Sequence, residues 1–131
     1  MPIHEPDLVL FDKVLKALIT QSLKEWELIA VLDGENDAAE AAIVRAMKKC
    51  PNTFKIVTLP HGGAQKARNE GFKHSQGNYV VFFDSDCRIE VHTAKAWVDM
   101  LDNNPDIGFV YSGYQFENEQ GAIASEPFDP W

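Results

Sequence analysis

The chain has 131 residues and a net charge of −8, with 45% hydrophobic and 24% charged residues. This length suits one domain with a real core and is too short for two, so we expect residues 1–131 to form a single domain. The negative charge argues against a nucleic-acid partner, because phosphate backbones are bound by basic surfaces. No apolar run approaches the roughly 20 residues that span a bilayer. Cys50 and Cys87 lack the spacing of a zinc site or a disulfide framework, which favours a reducing, cytoplasmic location.

Helical and extended patterns alternate along the chain. Strands that alternate with helices of 10–15 residues indicate βαβ units, so we expect an α/β fold with a mainly parallel sheet and helices on both faces. Small residues share one face of the third predicted helix, which predicts that this helix lies close to the sheet. The predicted helices cover residues 8–20, 37–49, 64–75 and 91–102, and the predicted strands cover 27–32, 54–59, 79–84 and 108–116.

Three loops that follow predicted strands carry acidic residues or glycines: Asp33-Gly34, His61-Gly62-Gly63 and Asp84-Ser85-Asp86. The carboxyl ends of parallel strands meet at one edge of the sheet. Ligands of open α/β sheets bind beyond that edge. The spacing of these loops therefore predicts that their side chains converge on one binding site.

Asp84 and Asp86 end a predicted buried strand, and alternation along a strand would point both carboxylates to the same side. Two carboxylates that close repel each other unless a cation or a donor-rich ligand lies between them. Hard oxygen ligands suit Mg²⁺ or Mn²⁺, often bound jointly with substrate phosphates. The pair thus predicts a metal–diphosphate site. The alternative is that Asp84 caps a turn and Asp86 is solvated.

Asp33 and Arg68 have a functional and an ordinary interpretation. The Asp33 carboxylate can accept a hydrogen bond from a nucleobase N–H, or it can simply belong to a turn with Gly34. Arg68 can neutralise a phosphate near the start of the third helix, or it can be a surface residue. The four histidines are scattered and form no metal-binding pattern, so most of them are expected at the surface.

Four segments together resemble the family 2 glycosyltransferases of the GT-A fold. MPIHEP resembles the opening I-P-x-Y/F-N-x, and ITQSLKEWELIAVLDGEND resembles LxSLxxQTYxxxEIIVVDDGSxD. LPHGGAQKARNEGF resembles NxGxxxARNxG, and GNYVVFFDSDC resembles GEYIxFLDADD. The order and the separations of the segments also match. The resemblance implies a Rossmann-like GT-A sheet and an enzyme that transfers a sugar from a nucleotide-diphospho-sugar to an acceptor hydroxyl of a sugar or glycan, with inversion.

The resemblance also implies roles at the nucleoside end of such a site. Asp33 would contact the base, usually uracil, which favours a UDP-sugar as donor. Pro2, Ile3 and His4 would wall the base pocket, with His4 at the position of a stacking aromatic residue. Arg68 would lie beside the nucleotide.

At the phosphate end, the resemblance implies that Asp84 contacts the ribose or the metal-bound phosphate, and that Ser85 is a further substrate-binding residue. Asp86, with Asp84, would ligate Mn²⁺ or Mg²⁺. The cation would offset charge on the departing diphosphate. Cys87 stands where the family usually has a further acidic residue, and Leu32 stands where it usually has the first of two aspartates.

The chain is shorter than the family pattern at both ends, so we expect an incomplete sheet. We expect the gap to be filled by unassigned residues near the tail, or by a partner chain in a homo-oligomer. No residue matches the family's catalytic base. The chain is therefore expected to be the donor-binding half of an enzyme that is cytoplasmic or membrane-peripheral. The alternatives are a non-catalytic binding or assembly module and, less well matched, a nucleotidyltransferase.

Overall fold

The computed structural model describes residues 1–50 and 54–117. All four predicted helices form, and so do the predicted strands at 27–32 and 54–59, each with its ends within two residues of the prediction. A two-residue strand also forms at residues 2–3. The elements are β1 (Pro2–Ile3), α1 (Leu8–Ile19), β2 (Leu28–Asp33), α2 (Asp37–Met47), β3 (Phe54–Leu59), α3 (Ala64–His74) and α4 (Thr93–Asn103). The predicted α/β fold class is confirmed.

Local sequence explains where the first two long helices begin. The Asp7 carboxylate accepts hydrogen bonds from the amides of Val9 and Leu10, at 2.9 and 3.0 Å. The Asn36 side chain accepts one from the amide of Ala39, at 2.9 Å. Both residues therefore satisfy amide groups that have no partner inside their helices.

The sheet has three parallel strands within the described residues, in the order β1-β2-β3. The pairs Ile3↔Leu32 and Asp33↔Leu59 align the carboxyl ends of the strands. β2 is central and buried along its whole length. One face of β2 packs in a core with residues of α1 and α2, and the other packs against Ala67 of α3, so the prediction of helices on both faces is confirmed.

α3 lies very close to the sheet. A Cβ atom placed on Gly71 would meet Cγ2 of Val31 at 3.2 Å, and Ala67 is fully buried. Small side chains therefore let the helix approach β2, as predicted. Ala64, which shares that helix, is exposed and lies at the carboxyl edge of the sheet instead.

The predictions of strands over 79–84 and 108–116 are wrong. Both segments are irregular, and the apolar side chains of residues 79–82 are 43–60% exposed, whereas Phe83 is 8% exposed. A strand needs backbone partners, and β1 offers only two residues, one of them a proline without an N–H group. The apolar run at 79–83 therefore has too few free backbone groups in β1 to pair with as a strand. Residues 118–131 lie outside the described residues, so the expectation that the tail fills the gap stays a prediction.

The chain divides into two compact units, Met1–Ala96 and a second one that begins at Trp97. The first unit holds the whole sheet and the helices α1 to α3. The described part of the second unit holds most of α4 and an irregular segment in which Phe109 and Tyr111 stack. Among residues 1–50 and 54–117, no helix is both long and apolar enough to cross a membrane.

Candidate functional site

A cleft of about 240 Å³ lies at the carboxyl edge of the sheet. It gathers residues from the end of β1, the end of β2, the first turns of α3 and the loop at 84–86. Its lining residues are Pro2, Ile3, His4, Asp33, Ala64, Arg68, Asp84, Ser85 and Asp86. Every residue to which the family resemblance gave a role therefore lines one cleft, whereas the loop His61-Gly62-Gly63 contacts Asp33 and does not line it. A larger cleft of about 370 Å³ lies beside α1 and is lined by Lys13, Lys16 and Arg88 among others, without a pair of aspartates.

Asp33 is buried, and its carboxylate contacts three groups of the chain itself. Its side chain accepts hydrogen bonds from the amides of Gly62 and Gly63, at 2.7 and 2.9 Å, and lies 3.0 Å from Nδ1 of His61. Burial by itself raises the pKa of Asp33, but the two amides, and then His61 and His4, outweigh it and hold that pKa below its ordinary value. The carboxylate thus ties the end of β2 to the loop before α3.

Gly63 is the N-cap of α3 and has φ 91° and ψ 156°. Residues that carry a side chain rarely adopt this backbone conformation. A Cβ atom on Gly63 would meet no atom within 4 Å, so the strain of a substitution would arise from the backbone and not from a steric clash. We expect Gly63→Ala to lower the free energy of unfolding by about 1–3 kcal/mol, the usual cost of such backbone strain. Urea denaturation followed by circular dichroism measures this change.

The matched control for that substitution is Gly108→Ala. A Cβ atom on Gly108 also meets open space, and Gly108 is not among the described glycines with positive φ. We expect it to change stability by about 0.5 kcal/mol or less. Equal effects at the two positions would contradict the assignment of strain to Gly63.

The acidic end of the cleft is formed by a tight turn at Ser85 and Asp86. Asp84, Asp86 and Cys87 each offer one potential ligand atom, and these three atoms lie within 4.8 Å of one another. The Cys87 amide donates to the Asp84 carbonyl oxygen at 3.3 Å. The carboxylates were expected to share a side through strand alternation; because no strand forms here, the turn brings them together instead.

Cys87 adds a neutral thiol to this acidic turn. Burial, together with the negative charges of Asp86 and Asp84, raises the pKa of Cys87 above its ordinary value. The thiol Sγ lies 3.8 Å from a carboxylate oxygen of Asp86. The group of donors is therefore dominated by two carboxylates, a set that fits a hard divalent cation such as Mg²⁺ or Mn²⁺.

Arg68 reaches across the cleft from α3. Its guanidinium donates to the Asp84 carboxylate at 2.6 Å, and the two side chains are 37% and 45% exposed. An ion pair this exposed contributes little to stability. The pair instead fixes the positions of two groups, because it holds the Arg68 guanidinium beside the Asp84 carboxylate in the lining of the cleft.

His61 contacts two residues of this cleft, Asp33 and His4, although the sequence placed it only within a converging loop and gave it no role of its own. Its ring stacks on that of His4, with centroids 4.3 Å apart and planes 21° apart. Nδ1 of His4 lies 2.9 Å from the Asp33 carbonyl oxygen. The available signal was topological, because His61 follows β3 as Asp33 ends β2, and both positions share one edge of the sheet.

Comparisons with known proteins identify the family of this chain. The glycosyl transferase family 2 profile matches residues 8–127, and the chain belongs to that family. It is 31% identical over 110 residues to glycosyltransferase GlyA of Streptococcus pneumoniae, covering 83% of this chain and 16% of that protein. It is 28% identical over 106 residues to minor teichoic acid biosynthesis protein GgaB of Bacillus subtilis, covering 79% of this chain and 12% of that protein.

A solved structure supports the same fold. The crystal structure of S. aureus TarS superposes with a TM-score of 0.71 at 26% identity, over 79% of this chain and 19% of that chain. The predicted GT-A fold and the predicted family are thus confirmed. The chain spans less than a fifth of each of these three proteins.

Proposed function

We propose that this chain is the donor-binding part of a glycosyltransferase. In this proposal it binds a nucleotide-diphospho-sugar through a divalent cation, and the sugar passes to an acceptor hydroxyl of a sugar or glycan with inversion at the anomeric carbon. The observation that carries the proposal is the single cleft shared by Asp33, Arg68, Asp84 and Asp86. Membership of glycosyl transferase family 2 supports glycosyl transfer as the reaction.

The acidic turn supplies the proposed cation site. Asp86 and Asp84 would hold Mn²⁺ or Mg²⁺, because their carboxylate oxygens lie close together and such cations prefer oxygen ligands. When bound, the cation would offset negative charge on the departing diphosphate. Ser85 and Arg68 line the same part of the cleft, and Arg68 can pair with a phosphate there.

The opposite end of the cleft is the proposed base pocket. Pro2, Ile3 and His4 form its wall, and Asp33 lies at its inner end. One face of the His4 ring is covered by His61, so a stacked base would use the opposite face. The amides of Gly62 and Gly63 and the His61 ring already contact the Asp33 carboxylate, so a base N–H would add a single, directional contact. The resemblance to the family favours uracil as that base.

The names of two relatives suggest a biological setting. GgaB is a minor teichoic acid biosynthesis protein, and the Borreliella burgdorferi relative, 29% identical over 82 residues, is a cholesterol galactosyltransferase. We place the full enzyme in the synthesis of a cell-envelope polysaccharide or glycoconjugate, on the cytoplasmic side and peripheral to the membrane. A second copy of the chain is proposed to pair with the open edge of β1.

The alternative is a non-catalytic module that binds nucleotide-sugars or assembles with other chains. The observation that favours it concerns the residues that match the family pattern. They include donor-site positions and no catalytic base. Transfer assays with a panel of UDP- and GDP-sugars separate the two, because a binding module retains nucleotide affinity and forms no product.

Calorimetric titration of UDP and of GDP into the parent chain, with and without Mn²⁺, tests the donor site. We expect UDP to bind more tightly than GDP and to require the cation. Equal UDP affinity with and without Mn²⁺ would overturn the cation assignment. Equal affinity for UDP and GDP would overturn the assignment of the base.

A further inference from the structure

The cleft beside α1 shares no lining residue with the proposed donor site. Its volume is about 370 Å³, and it lies between one face of α1 and the segment 88–91. Lys13, Lys16 and Thr20 follow one another at intervals of three and four residues, which places them on the same face of the helix. They line the cleft together with Arg88 of the opposite wall, and all of these residues belong to the first compact unit.

A buried glutamine fixes the two walls relative to each other. Gln21 is 1% exposed, and its Nε2 donates to the carbonyl oxygens of Ala17 at 3.1 Å and of Glu90 at 2.8 Å, both of which are lining residues. The Ser22 amide also donates to the Val91 carbonyl oxygen at 2.8 Å. A buried polar side chain that loses its partners is costly, so these bonds hold the cleft in one preformed shape.

The cleft concentrates positive charge in a chain whose net charge is −8. Its lining holds the cationic side chains of Lys13, Lys16 and Arg88 and one carboxylate, that of Glu90. Within the part of the chain that the structure describes, neither lysine forms an ion pair with a carboxylate. The Arg88 guanidinium has five N–H donors, so it can contact a ligand in addition to its partners in the chain. The lining therefore favours a ligand with a strong negative charge, such as a phosphate group.

Two oxygen groups of the same lining can only accept hydrogen bonds from a ligand. The Thr20 hydroxyl donates to the carbonyl oxygens of Lys16 at 3.0 Å and of Ala17 at 3.2 Å, which leaves only its lone pairs for a ligand. The ionised carboxylate of Glu90 likewise carries no proton to donate. A bare phosphate ion has no partner to offer these oxygens, whereas the hydroxyl groups of a polyol can donate to both.

We propose that this cleft binds a phosphate ester of a polyol or sugar. The phosphate contacts the three cationic side chains, and the hydroxyl groups donate to Thr20 and Glu90. The apolar part of the lining, which is Ala17, Ile89 and Val91, contacts the carbon skeleton. The inference does not rest on the proposed function, because the two clefts have no residue in common and this one holds a phosphate without a divalent cation.

Titration of glycerol 3-phosphate, inorganic phosphate and glycerol into the parent chain tests the site, with no nucleotide and no divalent cation present. Amide NMR should show glycerol 3-phosphate binding about threefold or more tightly than inorganic phosphate, because the hydroxyl groups add hydrogen bonds, and glycerol not binding. The shifts should fall at residues 13–20 and 88–91. Larger shifts at Gly62 and Gly63 would place the ester at the donor cleft and overturn the proposal.

The double variant Lys13→Gln with Lys16→Gln should weaken glycerol 3-phosphate binding by about tenfold or more, because each lysine supplies a charge-assisted contact. Both side chains are exposed, so the variant should fold. The matched control is Lys48→Gln with Lys49→Gln, which removes two exposed charges at the end of α2 and should retain the parent affinity. Equal losses in the two double variants would show a general attraction of anions to lysines and would overturn the site.

Glu90→Ala tests the hydroxyl contacts separately from the phosphate contacts. This variant should bind inorganic phosphate at least as tightly as the parent, because a repelling carboxylate has been removed. It should also lose most of the preference for glycerol 3-phosphate over inorganic phosphate. An unchanged preference would contradict the assignment of the hydroxyl groups to Glu90.

The ester can belong to a free compound or to a lipid headgroup, since both present the same phosphate and hydroxyl groups. Sedimentation with phosphatidylglycerol vesicles, compared with phosphatidylcholine vesicles, distinguishes the two sources. Sedimentation of the parent that the Lys13 and Lys16 double variant loses would support a headgroup in the cleft. Glycerol 3-phosphate binding without sedimentation would support a free ester, and the absence of both would overturn the proposal.

Discussion

Asp33→Ala is expected to lower the melting temperature by several degrees and to release the loop that joins β3 to α3. The substitution removes the acceptor of the Gly62 and Gly63 amides and leaves a void at a position that is 2% exposed. Amides that lose a partner and buried atoms that are deleted both destabilise a fold. Thermal unfolding measures the first effect. Amide hydrogen exchange at Gly62 and Gly63, which should become faster, measures the second.

The matched control is Asp12→Ala, which removes an aspartate that lies 3.5 Å from Arg45 with both side chains more than half exposed. A surface pair of this kind contributes about 0–1 kcal/mol, so the control should unfold close to the parent. Unchanged exchange at Gly62 and Gly63 in the Asp33 variant would show that Asp33 does not anchor the loop.

Acidification should reproduce part of the effect of Asp33→Ala. The pKa of Asp33 in the folded chain lies below its ordinary value, because the two amides and the imidazoles outweigh its burial. The stabilisation is therefore fully present above the pKa of the unfolded chain and is lost as the pH falls through the lower folded-state value.

Asp86→Ala is expected to weaken Mn²⁺-dependent UDP binding by about 1–3 kcal/mol, the cost typical of losing a charged partner. This corresponds to about 5- to 150-fold in affinity. The physical reason is that the turn at Ser85 and Asp86 places this carboxylate beside that of Asp84. Calorimetric titration of UDP at saturating Mn²⁺ measures the loss.

Asp106→Ala, which removes an exposed aspartate remote in sequence from the acidic turn, is the control for Asp86→Ala. It should bind UDP and Mn²⁺ as the parent does. Without Mn²⁺, the parent and Asp86→Ala should be indistinguishable. If the substitution weakens UDP equally with and without the cation, Asp86 is not a metal ligand.

Much of the fold could be predicted from local sequence. β3 has the predicted bounds, and β2 and α1 differ from prediction by one residue. These elements have strong local signals. Asp7 caps α1, and β2 is an apolar run up to Asp33, a pattern typical of a parallel strand that is covered on both faces. The small residues of α3 likewise predicted its close approach to β2, where a Cβ atom on Gly71 would meet Cγ2 of Val31 at a tight 3.2 Å.

The sequence by itself determined the four helices, two of the strands and the gathering of Asp33, Arg68 and the acidic turn at one edge, because those depend on hydrophobic period and on parallel topology. The family followed instead from the resemblance of four motifs in matching order. Only the tertiary structure decided the fate of residues 79–84, since an apolar run becomes a strand only where a neighbouring backbone has free groups to pair. It also decided that His61 stacks on His4 and that Asp33 holds both rings. Those contacts join residues 28 to 57 positions apart, and no local pattern encodes distances across such a separation.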